Sequence, residues 1–218
     1  MTGVSEWDAR FEYYRDSLTH AEGEDLDELV AWCDPGPGVT ALDVATGGGH
    51  VARRLREAGC RVTSSDAASG MRPDVVCAAE DLPFGDASFD VVVCRVAVHH
   101  FTDPLRGIVE MARVSRRLVV LEDTLYVDER VQEAEKLRDP THVAHYTRDD
   151  FVDMFAAAGL RVTREARFPK RHVMDDWLSA TGCAGDAAER VRELLAHVAE
   201  PGGVAWTDTK WVCRAEKG

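Results

Sequence analysis

Residues 39–60 read VTALDVATGGGHVARRLREAGC and contain the pattern that decides the fold. The stretch Val39–Ala45 is apolar, and Val51–Ala58 places its apolar residues on one face of a helix that ends at Gly59. Between them lie three consecutive glycines, whose missing Cβ atoms let a ligand approach the backbone. A strand, a glycine loop and a helix in this order form the ligand-binding unit of open α/β sheets.

The rest of the chain continues to alternate between short apolar strands and helical stretches. The further predicted strands are Cys60–Ser64, Asp74–Ala78, Asp90–Arg95, Leu118–Glu122, Leu160–Phe168 and Ala205–Ala215. The predicted helices are Pro104–Val114, a helix capped at Thr147 that runs to Ala158, and Ala187–Ala199. Strands that are apolar at consecutive positions are typical of parallel sheets covered by helices, so we expect an α/β fold.

The composition restricts the partners that the chain can have. Its 26 basic and 39 acidic residues give a net charge of −13, which disfavours a nucleic-acid backbone. No stretch approaches the roughly 18–20 apolar residues of a membrane span, and the first ten residues lack the apolar core of a signal peptide. We therefore expect a soluble, cytoplasmic protein. The six cysteines lie far apart without a CxxC pair, which predicts buried reduced thiols rather than disulfides or a zinc site.

The glycine loop alone does not identify its ligand. The spacing Gly47-x-Gly49-x-x-Ala52, with Asp66 about 20 residues further on, also matches the fingerprint of dinucleotide-binding proteins. An NAD-dependent oxidoreductase is therefore a rival interpretation. Asp43 argues against it, because a carboxylate at the end of the first strand repels a pyrophosphate and attracts the ammonium of an amino-acid ligand.

Several further motifs follow the loop in a fixed order. They are Leu42–His50, Asp66, Ala79–Phe84, Ser88–Asp90, His99–His100 and Leu118–Asp123. Together they resemble the class I S-adenosylmethionine-dependent methyltransferases, and in particular the branch of the ubiquinone and menaquinone biosynthesis methyltransferases. The resemblance covers roughly residues 39–123, and a weaker one lies at residues 14–26. It implies a Rossmann-like, seven-stranded, mostly parallel sheet in the order 3-2-1-4-5-7-6, with strand 7 antiparallel.

The resemblance also implies how S-adenosylmethionine is bound. Gly47 and Gly49 would admit its methionine portion, and Asp43 would hold the ammonium. Asp66 would accept hydrogen bonds from both ribose hydroxyls, because a carboxylate presents two oxygens to a cis-diol. The other residues expected at the cofactor are Ala45, Thr46, Ala67, Met71, Ala79 through its N–H, Glu80, and Cys94 or Arg95 through a backbone carbonyl.

Two features depart from the family pattern, and both concern the adenine pocket. The segment 67–73 leaves room for barely one turn where relatives usually have a helix. Ala78 stands where relatives often carry an aspartate that receives the adenine amino group. Glu80 or Asp81 is the candidate replacement, and the absence of this contact is the alternative.

We predict one methyltransferase domain in three parts. Residues 1–38 form an N-terminal helical cap, expected as two helices that pack across the open edge of the sheet. Residues 39–123 form the cofactor-binding core. Residues 124–218 carry the C-terminal strands and two insertions, 124–146 and 170–185, that cover a pocket.

His99 and His100 are the candidate catalytic residues. Methyl transfer is an in-line displacement in which the protein supplies alignment, a dry site and, where the acceptor carries a proton, a base. The pair follows the fourth strand, and histidine has a suitable pKa for such a base. The alternative, a structural role in the loop, is equally compatible with the sequence. No metal site is expected.

Fewer sequence motifs indicate the substrate pocket than indicate the cofactor site. Its candidate residues are Tyr14, His20, Asp123, His142 and Tyr146. For the lid segment 139–146, exposed polar loop residues are the favoured interpretation. We expect a small-molecule acceptor, and oxygen, nitrogen and carbon nucleophiles all remain open, as does the oligomeric state. A protein that binds S-adenosylmethionine without turnover is the second hypothesis.

Overall fold

The computed structural model describes Arg15 and residues 21–218. Its helices are α1 (Glu24–Trp32), α2 (His50–Glu57), α3 (Pro104–Val114), α4 (Glu129–Arg138), α5 (Arg148–Ala157), α6 (Met174–Ser179) and α7 (Gly185–Leu195). Its strands are β1 (Thr40–Val44), β2 (Arg61–Asp66), β3 (Val75–Val76), β4 (Phe89–Arg95), β5 (Ser115–Thr124), β6 (Leu160–Val173) and β7 (Ala205–Lys217).

The strands form one seven-stranded sheet in the order β3-β2-β1-β4-β5-β7-β6. Strands β1 to β5 pair in parallel, and β7 runs antiparallel to both β5 and β6. The predicted order and the antiparallel strand 7 are therefore confirmed. The order reverses between β1 and β4, where the loops after the two strands lead to opposite faces and leave a crevice at their carboxyl ends.

Two apolar layers cover the faces of the sheet. On one face, Ile108 of α3 and Phe151 of α5 pack on the strands, and on the other Leu26 and Leu29 of α1 do so. The prediction that the N-terminal helices cover the open edge is wrong for α1. Its buried residues follow a helical stripe that is complementary to a sheet face, whereas a strand edge offers unpaired backbone groups.

The local signals that predicted α5 and α3 are present as hydrogen bonds. Thr147 and Asp150 form a reciprocal capping box at the start of α5. Asp103 accepts a hydrogen bond from Arg106 N–H and caps α3, whose first residue is Pro104. The short segment 67–73 contains only a 3₁₀ turn at Ser69–Met71, as its length predicted.

The C-terminal strands extend further than the sequence predicted. Strand β6 continues to Val173 because its pairing with β7 runs without interruption to the Val173–Ala205 position. The insertion at 170–185 is therefore strand first and helix α6 second. A third apolar cluster joins these strand ends to α4, α6 and α7, with Trp177 and Trp206 in its centre. This helical lid stands over the carboxyl ends of β4 and β5. The division of the chain at residues 38 and 123 stays a prediction.

Within the described residues, no helix combines the length and the apolar character that a membrane crossing requires.

Candidate functional site

The crevice between β1 and β4 is opened by two residues in the left-handed backbone region. Ala45 follows β1 with φ of 54° and Val96 follows β4 with φ of 52°. Such a conformation is a genuine outlier for a β-branched residue, and strained residues concentrate at functional sites. The last paired positions of the two strands are Val44 and Cys94, so the chains diverge immediately beyond them.

Asp43 lies next to the last residue of β1, and its hydrogen bonds connect the glycine loop with the start of α2. Its Oδ2 accepts hydrogen bonds from Thr46 Oγ1 at 2.6 Å and from Ala52 N–H at 3.1 Å. Burial raises the pKa of Asp43 to about 6, although the bonds from Thr46 and Ala52 oppose that shift. Because Oδ2 accepts both of these hydrogen bonds, the buried carboxylate is suited to binding a cationic group of a ligand.

Asp66 ends β2 and joins the same loop to the next turn. Its Oδ2 accepts from Gly47 N–H at 3.0 Å, and its Oδ1 accepts from Ala68 N–H at 2.9 Å. The two predicted acids, Asp43 and Asp66, therefore hold the glycine loop from both sides. They lie where a ligand in the crevice would meet them.

The space beside the glycines of the loop is open. At Gly47 and Gly49, where φ is 50° and 75°, a Cβ atom would meet no atom of the described residues within 4 Å. Across the crevice, the Ala79 N–H donates no hydrogen bond to any acceptor in the described part of the chain. Open space, a free backbone donor and two acids are the features that an adenosyl amino acid requires.

Arg95 was predicted to act through its backbone, and its side chain has a separate structural role. The guanidinium donates to Glu122 Oε2 and to Asp25 Oδ2, each at 2.8 Å, and is only 8% exposed. Burial raises the pKa of Glu122 to about 7, and the neighbouring Asp25 carboxylate adds to that shift, whereas Arg95 opposes it. This buried triad ties α1 to the ends of β4 and β5.

The His99–His100 pair lies in a 3₁₀ turn directly after β4. Asp123 holds His99 twice, since its Oδ1 is 2.6 Å from His99 Nδ1 and its Oδ2 accepts from the His99 N–H at 3.2 Å. The Asp123 side chain is fully buried, and 10% of the His99 side chain is exposed. His100 Nδ1 instead donates to the Thr141 carbonyl at 3.0 Å.

The lid brings two further imidazoles against this pair. The centroid of the His99 ring is 5.4 Å from that of His142 and 5.3 Å from that of His145. The amide oxygen of Gln132 on α4 joins them, because it lies 2.9 Å from His142 Nε2 and accepts from His145 N–H. Four imidazoles thus cluster at the carboxyl end of β4, in tilted and edge-on contacts.

Burial keeps three of these imidazoles neutral. It lowers the pKa of His100 to about 3 and of His142 to about 2, and neighbouring imidazoles add to both shifts. Burial also lowers the pKa of His145. For Asp123, burial favours a higher pKa, but the interaction with His99 outweighs it, so the pKa lies below its usual range. Asp123 therefore carries a negative charge next to these neutral imidazoles.

The comparisons with known proteins agree with this geometry. A methyltransferase domain model matches residues 42–120, the segment that contains the crevice and the histidine pair. The uncharacterized methyltransferase YcgJ of Bacillus subtilis is 28% identical over 91% of this chain and 86% of its own length. Residues 42–120 are therefore similar to methyltransferase domains, and the likeness to YcgJ extends over most of the chain.

Solved structures share the fold of this methyltransferase. The crystal structure of the Bacillus subtilis YcgJ protein superposes with a TM-score of 0.79 at 23% identity, covering 88% of this chain and 97% of that one. A putative methyltransferase from Bacillus halodurans superposes with a TM-score of 0.78 at 24% identity, covering 89% and 99%.

The resemblance to quinone-biosynthesis enzymes is supported over the core only. The demethylmenaquinone methyltransferase of Beutenbergia cavernae is 38% identical over 99 residues, which are 39% of this chain and 41% of that protein. The match therefore covers less than half of either protein, and it agrees with a methyl-transferring enzyme.

The remaining predicted cofactor residues lie around the adenine side of the crevice. Met71 is buried and Ala67 is exposed, on either side of the turn after β2. The Glu80 carboxylate accepts from Thr102 N–H at 2.9 Å and from Thr102 Oγ1, so it fixes the loop before α3. Its proposed contact with adenine stays a prediction.

Only some of the predicted pocket residues lie next to His99. Asp123 and His142 meet His99, whereas the Tyr146 ring packs edge-on against Phe151 with its centroid 5.7 Å away. Tyr14 and His20 lie outside the described residues.

The expectation of an exposed polar lid loop is wrong. Asp139, His142 and His145 are 2%, 6% and 6% exposed, and the side chains of Asp139 and His142 have hydrogen-bond partners that the sequence does not reveal. Among them, Asp139 accepts from Thr141 Oγ1 at 2.7 Å. In the part of the chain that the structure describes, no group of three or more histidine, cysteine or acidic side chains is arranged to hold a metal ion.

A second buried polar group was missed by the sequence reading. On β7, Lys210 donates to Asp208 Oδ2 at 2.8 Å and to Thr124, and His172 Nε2 lies 3.0 Å from the same Asp208 oxygen. Charged residues at alternate positions of an otherwise buried strand were the available signal, since Trp206, Asp208, Lys210 and Val212 share one face.

Proposed function

We propose that this methyltransferase binds S-adenosylmethionine in the crevice between β1 and β4 and methylates a small-molecule acceptor. One observation carries the proposal: Asp43 and Asp66 hold an open glycine loop between them, at the point where the strand order reverses. The match of residues 42–120 to a methyltransferase domain supports the same assignment.

The residues of the crevice fit the cofactor group by group. Asp43 offers a buried carboxylate to the ammonium, and Asp66 offers acceptor oxygens to the ribose hydroxyls. Ala79 N–H offers a donor to the adenine ring, and the Arg95 carbonyl lies where β1 has ended and β4 continues. When bound, the cofactor supplies an activated methyl group on a positively charged sulfur.

The protein's own contribution is alignment and exclusion of water. Helices α4, α6 and α7 pack together into the lid, and the buried imidazoles of His142 and His145, in the loop after α4, replace solvent next to His99. A closed, dry site shortens the approach of acceptor and methyl group and strengthens the electrostatic interactions within it.

Isothermal titration tests the cofactor assignment. We expect S-adenosylmethionine and S-adenosylhomocysteine to bind at one site per chain and NAD not to bind. Release of S-adenosylhomocysteine in the presence of a panel of small acceptors then tests turnover. Binding of NAD in preference to both sulfur compounds would refute the proposal.

A further inference from the structure

We propose that Asp123 positions His99 as the general base, and that the methylated group of the acceptor is a hydroxyl. The inference rests on the proposed function, because it concerns what happens beside the same methyl group. The inference specifies which of the two histidines is the base and which acceptor atom is methylated.

The hydrogen bonds of His99 determine which of its nitrogens is available. Asp123 Oδ1 lies 2.6 Å from Nδ1, and a fully buried, ionised carboxylate can only accept, so Nδ1 carries the proton. Nε2 then has a free lone pair. No other group of the described residues hydrogen-bonds to Nε2, and the ring retains an exposed part. This arrangement allows Nε2 to accept a proton as a general base.

Backbone hydrogen bonds also fix the position of the Asp123 carboxylate. The backbone N–H groups of His99 and Thr124 both donate to its carboxylate, at 3.2 and 2.7 Å. When His99 gains a proton, the charge that forms lies next to this carboxylate and is stabilised by it. Asp123 therefore acts through His99 and is a positioning residue.

His100 and the lid histidines do not share this arrangement. His100 Nδ1 faces a carbonyl, His142 Nε2 faces the Gln132 amide, and His145 has a carboxylate neither on Nδ1 nor on Nε2 among the described residues. The charged and titratable groups that face His99 from the surrounding elements are His100 beside it, Asp123 from β5, Glu135 from α4, and His142 and His145 from the loop after α4. Lys210 of β7 faces Asp123.

The chemistry of the acceptor follows from the presence of a base. A neutral amine already has a nucleophilic lone pair, whereas a hydroxyl becomes a strong nucleophile only when its proton leaves. In the step proposed, the acceptor O–H proton moves to His99 Nε2 as the oxygen–methyl bond forms. The carbon–sulfur bond breaks and its electron pair stays on sulfur. The products are a methyl ether, S-adenosylhomocysteine and a protonated His99, which returns its proton to solvent.

The first test determines the tautomer of His99 in the absence of any acceptor molecule. In ¹⁵N-histidine spectra we expect the His99 ring to be protonated on Nδ1 at neutral pH, and Asp123→Asn to alter that signal. A ring protonated on Nε2 overturns the assignment of His99 as a base. Titration of S-adenosylhomocysteine into the same samples tests the proposed function separately, and its affinity is expected to be unchanged.

The second test uses a panel of phenols and alcohols, each paired with the amine that replaces its hydroxyl. We expect methyl ethers by mass spectrometry, and His99→Asn to lower kcat by about 10²–10⁴-fold with KM nearly unchanged. In that variant, kcat should rise with pH as the acceptor itself ionises. Asp123→Asn should lower kcat in the same direction. Products methylated on nitrogen or carbon, or no hydroxyl product at all, overturn the acceptor class.

The chain supplies a matched control for the histidine pair. His197 Nε2 lies 2.6 Å from Asp128 Oδ2, the same separation as between His99 and Asp123, but this pair is on the surface of the lid. His197→Asn should leave kcat and its pH profile unchanged. An equal loss in both variants would mean that His99 acts through folding alone, and would overturn the proposal.

Discussion

Asp66 Oδ2 accepts a hydrogen bond from Gly47 N–H at 3.0 Å, so the acid that ends β2 is joined directly to the glycine loop that follows β1. Nineteen positions separate the two residues in sequence. The parallel pairing of β1 with β2 brings them together, because it aligns the carboxyl ends of both strands. The ribose acid and the glycine loop therefore form one unit, and a change in either one alters the other.

Removing the Asp66 carboxylate should weaken binding of S-adenosylhomocysteine. We expect Asp66→Ala to cost about 1–3 kcal/mol of binding free energy, the range for lost charge-assisted hydrogen bonds. Part of this loss comes from the loop, since Gly47 N–H also loses its acceptor. Isothermal titration measures the effect, and an affinity equal to that of the parent would show that the ribose lies elsewhere.

Asp90 offers a control with a similar structural role. Its carboxylate accepts from Thr40 N–H at 2.9 Å and Thr40 Oγ1 at 2.7 Å, at the amino end of β4. It therefore ties β4 to β1 at the opposite end of the sheet from the crevice. Asp90→Ala should lower the melting temperature and leave the affinity for S-adenosylhomocysteine unchanged.

A side chain at Gly47 should block the crevice. The space beside Gly47 is open, so the branched side chain of Gly47→Val projects into the path of the ligand, and φ of 50° adds backbone strain. We expect no measurable cofactor binding by a folded variant. Gly159→Val is the control, because Gly159 also has a positive φ, 75°, and open space beside it, but lies after α5. If the two variants bind equally well, the cofactor site is elsewhere.

The sequence predicted the sheet order and the two acids beside the glycine loop because their signals are local. The glycine loop, the strand-ending acids and the apolar strands each depend on a few neighbouring residues. The capping box of Thr147 and Asp150 is a further example, since both partners lie within one helical turn.

The lid was predicted poorly because its contacts are long-range. His142 and Gln132 pair across ten positions, and His99 and Asp123 across twenty-four. A polar loop sequence is compatible both with solvent exposure and with a buried network in which every group has a partner. The choice between the two depends on tertiary contacts. The same holds for the Arg95–Glu122 pair, which joins two strands 27 positions apart.

Acid should destabilise the protein through its buried imidazoles. The pKa of His100 is lowered to about 3, against 6.5 as the ordinary value, so its contribution to stability is complete above pH 6.5 and is lost as the pH falls toward 3. One such histidine contributes roughly 1.4 kcal/mol per pH unit within this window. In His100→Asn, whose amide can still donate to the Thr141 carbonyl, the free energy of unfolding should fall less steeply between pH 6.5 and 4.5. An unchanged slope in urea titrations would show that the ring is not buried as a neutral group.

Alkali should act in the opposite direction through Glu122. Burial raises the pKa of Glu122 from 4.5 to about 7, so its stabilising contribution is complete below pH 4.5 and is lost as the pH rises through 7. Below that pH Glu122 is neutral beside the Asp25 carboxylate, and Arg95 donates to both acids. Above it, two buried carboxylates face one guanidinium, and part of the interaction is lost.

Glu122→Gln isolates this effect, because the amide is neutral at every pH while its oxygen can still accept from Arg95 Nε. The variant should match the parent near pH 5 and exceed its free energy of unfolding by roughly 1 kcal/mol or more at pH 8.5. Asp43, whose pKa is also raised by burial, contributes equally to both proteins, so the difference between the two pH profiles reports Glu122 alone. Profiles that remain parallel from pH 5 to 8.5 would show that Glu122 is already ionised in the folded protein.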